Sequence, residues 1–212
     1  MNEETLSSGF FGEDITLDIY TDLKEFYTPA NGFSQLHLCR RYGKLHILKS
    51  LQPFYSSQEF YKQLLLKEFN IGYQLDHPNI RHTLGWEKND LLGNYIVLEY
   101  IDGIPLTTFI EQGKLTQPLA YKFITEICNA LQYIHSKQLI HKDLKPNNIL
   151  ITHNGNNVKL IDFGLADCDD YEILKIPAGT EKYLAPEQLN PKATLEQTSI
   201  HWASSSRNYQ SS

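Results

Sequence analysis

The ten residues His141-Lys142-Asp143-Leu144-Lys145-Pro146-Asn147-Asn148-Ile149-Leu150 restrict the possible folds of this chain more than any other segment. They set a carboxylate, an ammonium group and a side-chain amide close together, in the order Asp143, Lys145, Asn148. Nineteen residues after Asp143 comes Asp162-Phe163-Gly164, at the end of an apolar run from Val158 to Ile161 that reads as a strand. Gly164 permits a backbone turn directly after that second carboxylate. A lone Asp or Lys in such a place is an ordinary charged turn after a helix, and an Asp-Phe-Gly turn alone says little. Occurring together and in this order, the two segments carry more weight than either alone.

At 212 residues, with 41% hydrophobic and 12% aromatic side chains, the chain has enough apolar material for one domain or for two small lobes sharing a cleft. The net charge of −6 comes from scattered acids, and no Arg/Lys-rich stretch offers a nucleic-acid surface. Cys39, Cys128 and Cys168 are odd in number and lack metal or redox spacing, which indicates a reducing, cytoplasmic compartment. No run approaches the ~20 apolar residues of a membrane span, so a soluble chain without membrane partners is expected.

Residues 1–20 read as a polar lead-in. From Asp22 to Leu51, short Leu-, Ile-, Tyr- and Phe-rich runs broken by Pro29, Asn31-Gly32 and Tyr42-Gly43-Lys44 predict three antiparallel strands. Ser56-Ser57-Gln58-Glu59 has capping-box spacing and opens a predicted helix reaching Leu75. Ile80 to Trp86 and Tyr95 to Tyr100 predict two further strands, a short helix runs from Leu106 to Gln112, and Pro118 to Ser136 predicts a longer one. Phe123, Ile127, Leu131 and Ile134 form the apolar stripe of that last helix.

With the organisation set out, His141 to Leu150 resembles the catalytic loop of eukaryotic-type serine/threonine protein kinases, departing by Lys142 where Arg is usual. The resemblance implies an α+β, two-lobed protein-kinase-like fold: a small antiparallel-sheet lobe over 21–100 and a mainly helical but incomplete lobe over 101–190. It implies ATP and Mg²⁺ as cofactors and transfer of the γ-phosphoryl group to a Ser/Thr hydroxyl of a protein substrate. Asp143 is then the base, Lys145 the cation beside the moving group, and Thr180 a partner that bonds both. Asn148 and Asp162 are the implied magnesium ligands. Lys49 is the implied phosphate-binding lysine, with Glu68 as its ion-pair partner. Asn31, Gly32, Ser34, Leu36, Ile47 and Leu150 are placed around the nucleotide, and the backbone of Glu99 and Ile101 against adenine. Gly179-Thr180 to Ala185-Pro186-Glu187 resembles the substrate-docking stretch.

Departures from the family pattern carry their own expectations. Pro29, Asn31 and Ser34 stand where three loop glycines are usual, which predicts weak nucleotide binding. Gly72 stands where a bulky apolar residue is usual, which predicts a hole and a loose helix. Asp167, Asp169, Asp170 and Glu172 replace any Ser or Thr between Gly164 and Thr180, as a phosphate mimic facing Lys142 or as a solvated acidic loop. After Glu187 the expected supporting helix is replaced by the polar tail 191–212. The run Gln197 to Ala203 can be encoded so that a shifted frame reads Asp-Ile-Tyr-Ser-Leu-Gly, the usual start of that helix. This predicts a frameshift near residue 197, a partly exposed stripe on the Pro118–Ser136 helix, and impaired activity. The alternative is a catalytically inactive, pseudokinase-like nucleotide-binding or protein-interaction module.

Overall fold

A computed structural model of the chain describes residues 20–29 and 32–166. The Ser- and acid-rich ends, Asn31, Thr180, the Ala185-Pro186-Glu187 stretch and the frameshift candidate at 197 lie outside the described residues.

Three strands form first in chain order: β1 (Thr21–Tyr27), β2 (Ser34–Arg41) and β3 (Lys44–Leu51). Tyr42 and Gly43 both take positive φ, 50° and 76°, which closes β2 and β3 through a two-residue turn of the hand that strand twist favours. Helix α1 (Glu59–Tyr73) then crosses to β4 (Thr83–Asn89) and β5 (Gly93–Glu99), giving an antiparallel sheet of order β1-β2-β3-β5-β4. Beyond Glu99 follow β6 (Gly103–Pro105), α2 (Leu106–Glu111), α3 (Gln117–Ser136), a 3-10 turn at Pro146–Asn148, β7 (Ile149–Thr152) and β8 (Val158–Leu160). The last three strands make a second sheet in the order β6-β7-β8. The architecture is α+β and two-lobed, with five strands and one helix in the smaller lobe, as expected.

The lobes share a core. Ile71, Leu75 and Ile80 from the first lobe pack with Phe109, Ile127, Leu160 and Phe163 of the second. The segment 79–81 also runs beside β8: the Leu160 N–H donates to Asn79 O at 2.7 Å, and the Arg81 N–H donates to Leu160 O at 2.9 Å. Asn79 Nδ2 adds a bond to Val158 O at 2.9 Å. The strand that leads to Asp162 is therefore held by the turn leaving α1.

Three local expectations are corrected. The capping box does not form, because the Ser56 hydroxyl donates to Pro53 O at 2.7 Å within a preceding turn; α1 begins after Gln58 and ends at Tyr73, short of Leu75. The α3 stripe is not exposed: Phe123, Ile127, Leu131 and Ile134 are at most 4% accessible. Nor is there a hole at Gly72, since a Cβ there would collide with Thr83 Oγ1 and lie 3.3 Å from Thr83 Cβ. The β4 threonine occupies the space that a side chain on α1 would otherwise take.

That packing predicts an energetic coupling. Gly72→Ala should lose about 1–2 kcal/mol of stability despite the helix preference of alanine. In the Gly72→Ala/Thr83→Ala double variant most of the clash cost should disappear, a non-additivity of about 1–3 kcal/mol in urea unfolding. Strict additivity would mean that the two positions do not touch.

Candidate active site

Alternation along β3 decides where Lys49 points. Ile47 and Leu51 join one apolar cluster with Leu65 of α1, while Leu48 joins another on the opposite face of the sheet with Tyr95 and Val97. Lys49 shares the α1-facing side. On α1, Leu64, Leu65, Glu68 and Ile71 are buried at helical intervals, so Glu68 is turned towards the sheet. Lys49 Nζ lies 2.6 Å from Glu68 Oε1 and 3.1 Å from Asp162 Oδ1. One ammonium thus joins the helix, the sheet and the strand end after β8.

The electrostatics follow from that geometry. Burial works against the charge on Lys49, but the Asp162 and Glu68 carboxylates more than offset it and raise its pKa. Asp162 is held well below the usual carboxylate range, chiefly by Lys49. Burial raises Glu68, whose Oε2 accepts no hydrogen bond among the described residues. Its carboxylate also stands against Gly164, where a Cβ would lie 3.1 Å from Oε2 and 3.2 Å from Asp162 Oδ1. A side chain at 164 would wedge between the two acids.

The other wall is the loop before β7. Asp143 is 8% accessible; its Oδ2 accepts from Lys145 Nζ at 2.7 Å and from Asn148 Nδ2 at 2.9 Å. Asn148 Nδ2 also reaches Asp143 O at 2.8 Å, and the Ile161 N–H donates to Asn148 O at 2.9 Å. Asn148 therefore ties Asp143 to the residue preceding Asp162. His141 is fully buried, its ring 4.9 Å from that of Phe163, and burial lowers its pKa so that it stays neutral. Lys142 and Asp162 take left-handed backbone, φ 60° and 68°, an uncommon conformation for side-chain-bearing residues that clusters at functional sites. Asp162 stabilises its own turn by accepting from the Gly164 N–H at 3.3 Å.

A hard divalent cation fits this donor set. Asn148 uses its amide nitrogen on Asp143, which leaves Oδ1 as an uncommitted oxygen, and the Asp162 side chain is 42% accessible. Among the described residues no cluster of three or more His, Cys, Asp or Glu could hold a metal alone. Asn148 Oδ1 and the Asp162 carboxylate are the oxygens that could hold such an ion, with the remaining ligands coming from outside the protein.

Around this centre the remaining candidates divide. Leu36 packs against the cluster that holds Ile47, whereas Leu150 lies in the second sheet. Glu99 is at the end of β5; its N–H donates to His82 O at 3.0 Å, and its carboxylate takes Lys159 Nζ at 3.1 Å. Ile101 is 9% accessible in the crossing to the second lobe. Gly32 and Ser34 flank the β1–β2 turn. Sequence reasoning missed two participants. Burial lowers the pKa of the partly buried Arg81, and the nearby charges of Glu68, Asp162 and Glu99 oppose that shift. Gln52 bonds the β1–β2 turn through its side chain. A cation two residues after His77-Pro78-Asn79-Ile80's Asn79, and a Gln just past β3, carry no local signal of either role.

Comparisons with known proteins agree with one another. The family model described as protein kinase domain matches residues 32–205. Calcium-dependent protein kinase 5 of Plasmodium falciparum (isolate 3D7) is 41% identical over 133 residues, covering 60% of this chain and 23% of that protein. The Arabidopsis thaliana serine/threonine-protein kinase RUNKEL is 40% identical over 131 residues, 59% of this chain and 9% of that protein. Human myosin light chain kinase family member 4 is 36% identical over 178 residues, 81% and 45%. The chain spans less than half the length of each of these relatives.

The depressed Asp162 pKa makes a pH prediction. Its ion pair favours folding at pH values above the ~4 of an unfolded carboxyl, and that contribution is lost as pH falls below it towards the lower folded value. Solvent around the partly exposed carboxylate moderates the effect. Asp162→Asn should therefore make stability fall less steeply between about pH 5 and 3 in urea titrations. Parallel curves for the two proteins would remove the ion pair from the account of stability.

Proposed function

Because this chain belongs to the protein kinase domain family, we propose that it transfers the γ-phosphoryl group of ATP to a serine or threonine hydroxyl of a protein, with Mg²⁺. The observation that carries the reading is the linked pair of carboxylates: Asp143 held by Lys145 and Asn148, and Asp162 held by Lys49. Phosphoryl transfer depends mainly on positioning and charge, and these bonds fix both. Asp143 orients the acceptor hydroxyl and takes its proton. Lys145, bonded to the same carboxylate, brings positive charge to the transferring group. Lys49, rigidly held by Glu68, steadies the phosphates. Magnesium, when bound at Asn148 and Asp162, supplies further positive charge to the phosphate oxygens. Thr180, outside the described residues, is assigned to bond Asp143 and Lys145. Lys145 two places after the base favours serine and threonine over tyrosine as acceptor.

Cys39 and Cys128, which form no disulfide, support a reducing, cytoplasmic compartment. No helix among the described residues is long and apolar enough to cross a membrane. A second reading, nucleotide binding without transfer, has one observation in its favour. Pro29 has no N–H and the Gly32 N–H is directed to Pro29 O at 3.3 Å, so these two described residues of the turn offer no free backbone donor to phosphate.

Transfer of the γ-phosphoryl group to a generic protein substrate separates the two. Asp143→Asn should lower kcat by about 10²–10⁴-fold while ATP affinity stays within a few-fold. Lys49→Met should instead weaken ATP binding. Transfer unchanged in Asp143→Asn would remove Asp143 from the mechanism, and binding with transfer at the Asp143→Asn level in the unaltered protein would establish the second reading.

A further inference from the structure

Lys159 is the middle residue of β8. Val158 and Leu160 on either side of it are fully buried in the shared core, so strand alternation turns the Lys159 side chain to the other face, towards the smaller lobe. Its Nζ lies 3.1 Å from both Glu99 Oε1 and Glu99 Oε2, and 3.4 Å from Ile80 O. Glu99 Oε2 also accepts the His82 N–H at 3.0 Å, and the Glu99 N–H returns to His82 O at 3.0 Å. The carboxylate at the end of β5 is thus held from the second lobe by an ammonium and from the first by a backbone amide. With side chains 15% and 30% accessible, the pair is screened less than a surface pair.

We propose that Lys159 is a positioning residue for ATP: by holding Glu99, it fixes the end of β5 relative to Asp162, which lies three residues beyond Lys159. The inference rests on the nucleotide reading above, in which the backbone of Glu99 faces adenine and Asp162 serves the phosphates. Lys159 touches neither end of the nucleotide. It acts through Glu99 at one end and through β8 at the other. Lys49 also joins the lobes, but through Asp162, a carboxylate that the reaction itself employs. The Lys159–Glu99 pair engages only side chains to which the reaction gives no part, so it keeps the lobes in register while Asp162 exchanges partners. A nucleotide read at its base by one lobe and at its phosphates by the other gains affinity from such a fixed spacing, because less ordering remains to be done on binding.

Titration calorimetry with ATP and Mg²⁺ and, separately, with adenosine tests this on the unaltered protein, Lys159→Met, Lys159→Arg and Glu99→Gln. Lys159→Met keeps the length of the side chain without its charge, and Lys159→Arg keeps the charge. ATP affinity should fall about 3–10-fold in Lys159→Met and in Glu99→Gln, the range expected for one charge-assisted hydrogen bond, and should stay within about twofold in Lys159→Arg. Adenosine reaches only the β5 end, so its affinity should change less than about twofold in all three. In the Lys159→Met/Glu99→Gln double variant the loss should not exceed that of the larger single one, since both break the same contact. Equal losses for ATP and adenosine, as a general loss of stability would give, or no loss for ATP, overturn the inference. Hydrogen exchange without nucleotide tests the clamp apart from the nucleotide reading. The Arg81 amide, bonded across the lobes to Leu160 O, should exchange at least about fivefold faster in Lys159→Met than in the unaltered protein. An unchanged rate would show that the pair does not hold the lobes, and overturns the inference as well. Faster exchange in Lys159→Met, with neither ligand bound by the unaltered protein, would leave the clamp standing and remove the nucleotide reading, and the positioning role with it.

Discussion

The Lys49 ammonium between Glu68 and Asp162 is the interaction on which the rest of the arrangement depends. Its three members come from β3, from α1 and from the segment after β8, so it can form only when sheet, helix and second lobe are packed together. A buried ion pair of this kind adds little net stability over apolar packing, but removing one member leaves a buried charge and is strongly destabilising. Its value here is geometric. With Lys49 and Glu68 both almost inaccessible, the carboxylate of Asp162 has one position at which it is neutralised, and that position faces the cleft.

Around that cluster the chain substitutes polar devices for the apolar ones expected. Gly72 and Thr83 interlock where the lack of a larger side chain on α1 was expected to leave a void. The β1–β2 turn, poor in glycine, is bonded to Gln52. Each substitution is local. The helix α1 is therefore held less by an apolar ridge at its Gly72 face than by charge at Glu68 and by burial of Leu64, Leu65 and Ile71.

Much of this was legible in the residues. Short apolar runs broken by turn residues and the helical spacing on α1 and α3 predicted the five-strand lobe and the two long helices to within a few positions, because a buried face and its turns both leave a local mark on the sequence. Lys49, Glu68, Asp143, Asn148 and Asp162 were named from motif order, and the fold brings them to one cleft wall or its opposite. The failures have a common cause. The Ser56 cap lost to a competing turn at Pro53, and the void at Gly72 was closed from β4, eleven residues away along the chain. The first partner lies three residues before the cap that was read, in a competing local turn, and the second lies on another element.

By itself, then, the sequence determined which chemical groups are available and in which order: three carboxylates, two amine cations and an amide, set on a strand, on a helix and in loops. It also determined what is missing, the loop glycines and a bulky residue at 72. Only the tertiary structure decided how those absences are met, by Gln52 on the turn and by Thr83 against Gly72. The physical reason is that backbone periodicity and turn chemistry are local, whereas a hydrogen-bond partner or a packing neighbour is chosen by proximity in space, which exists only once the lobes have closed on each other.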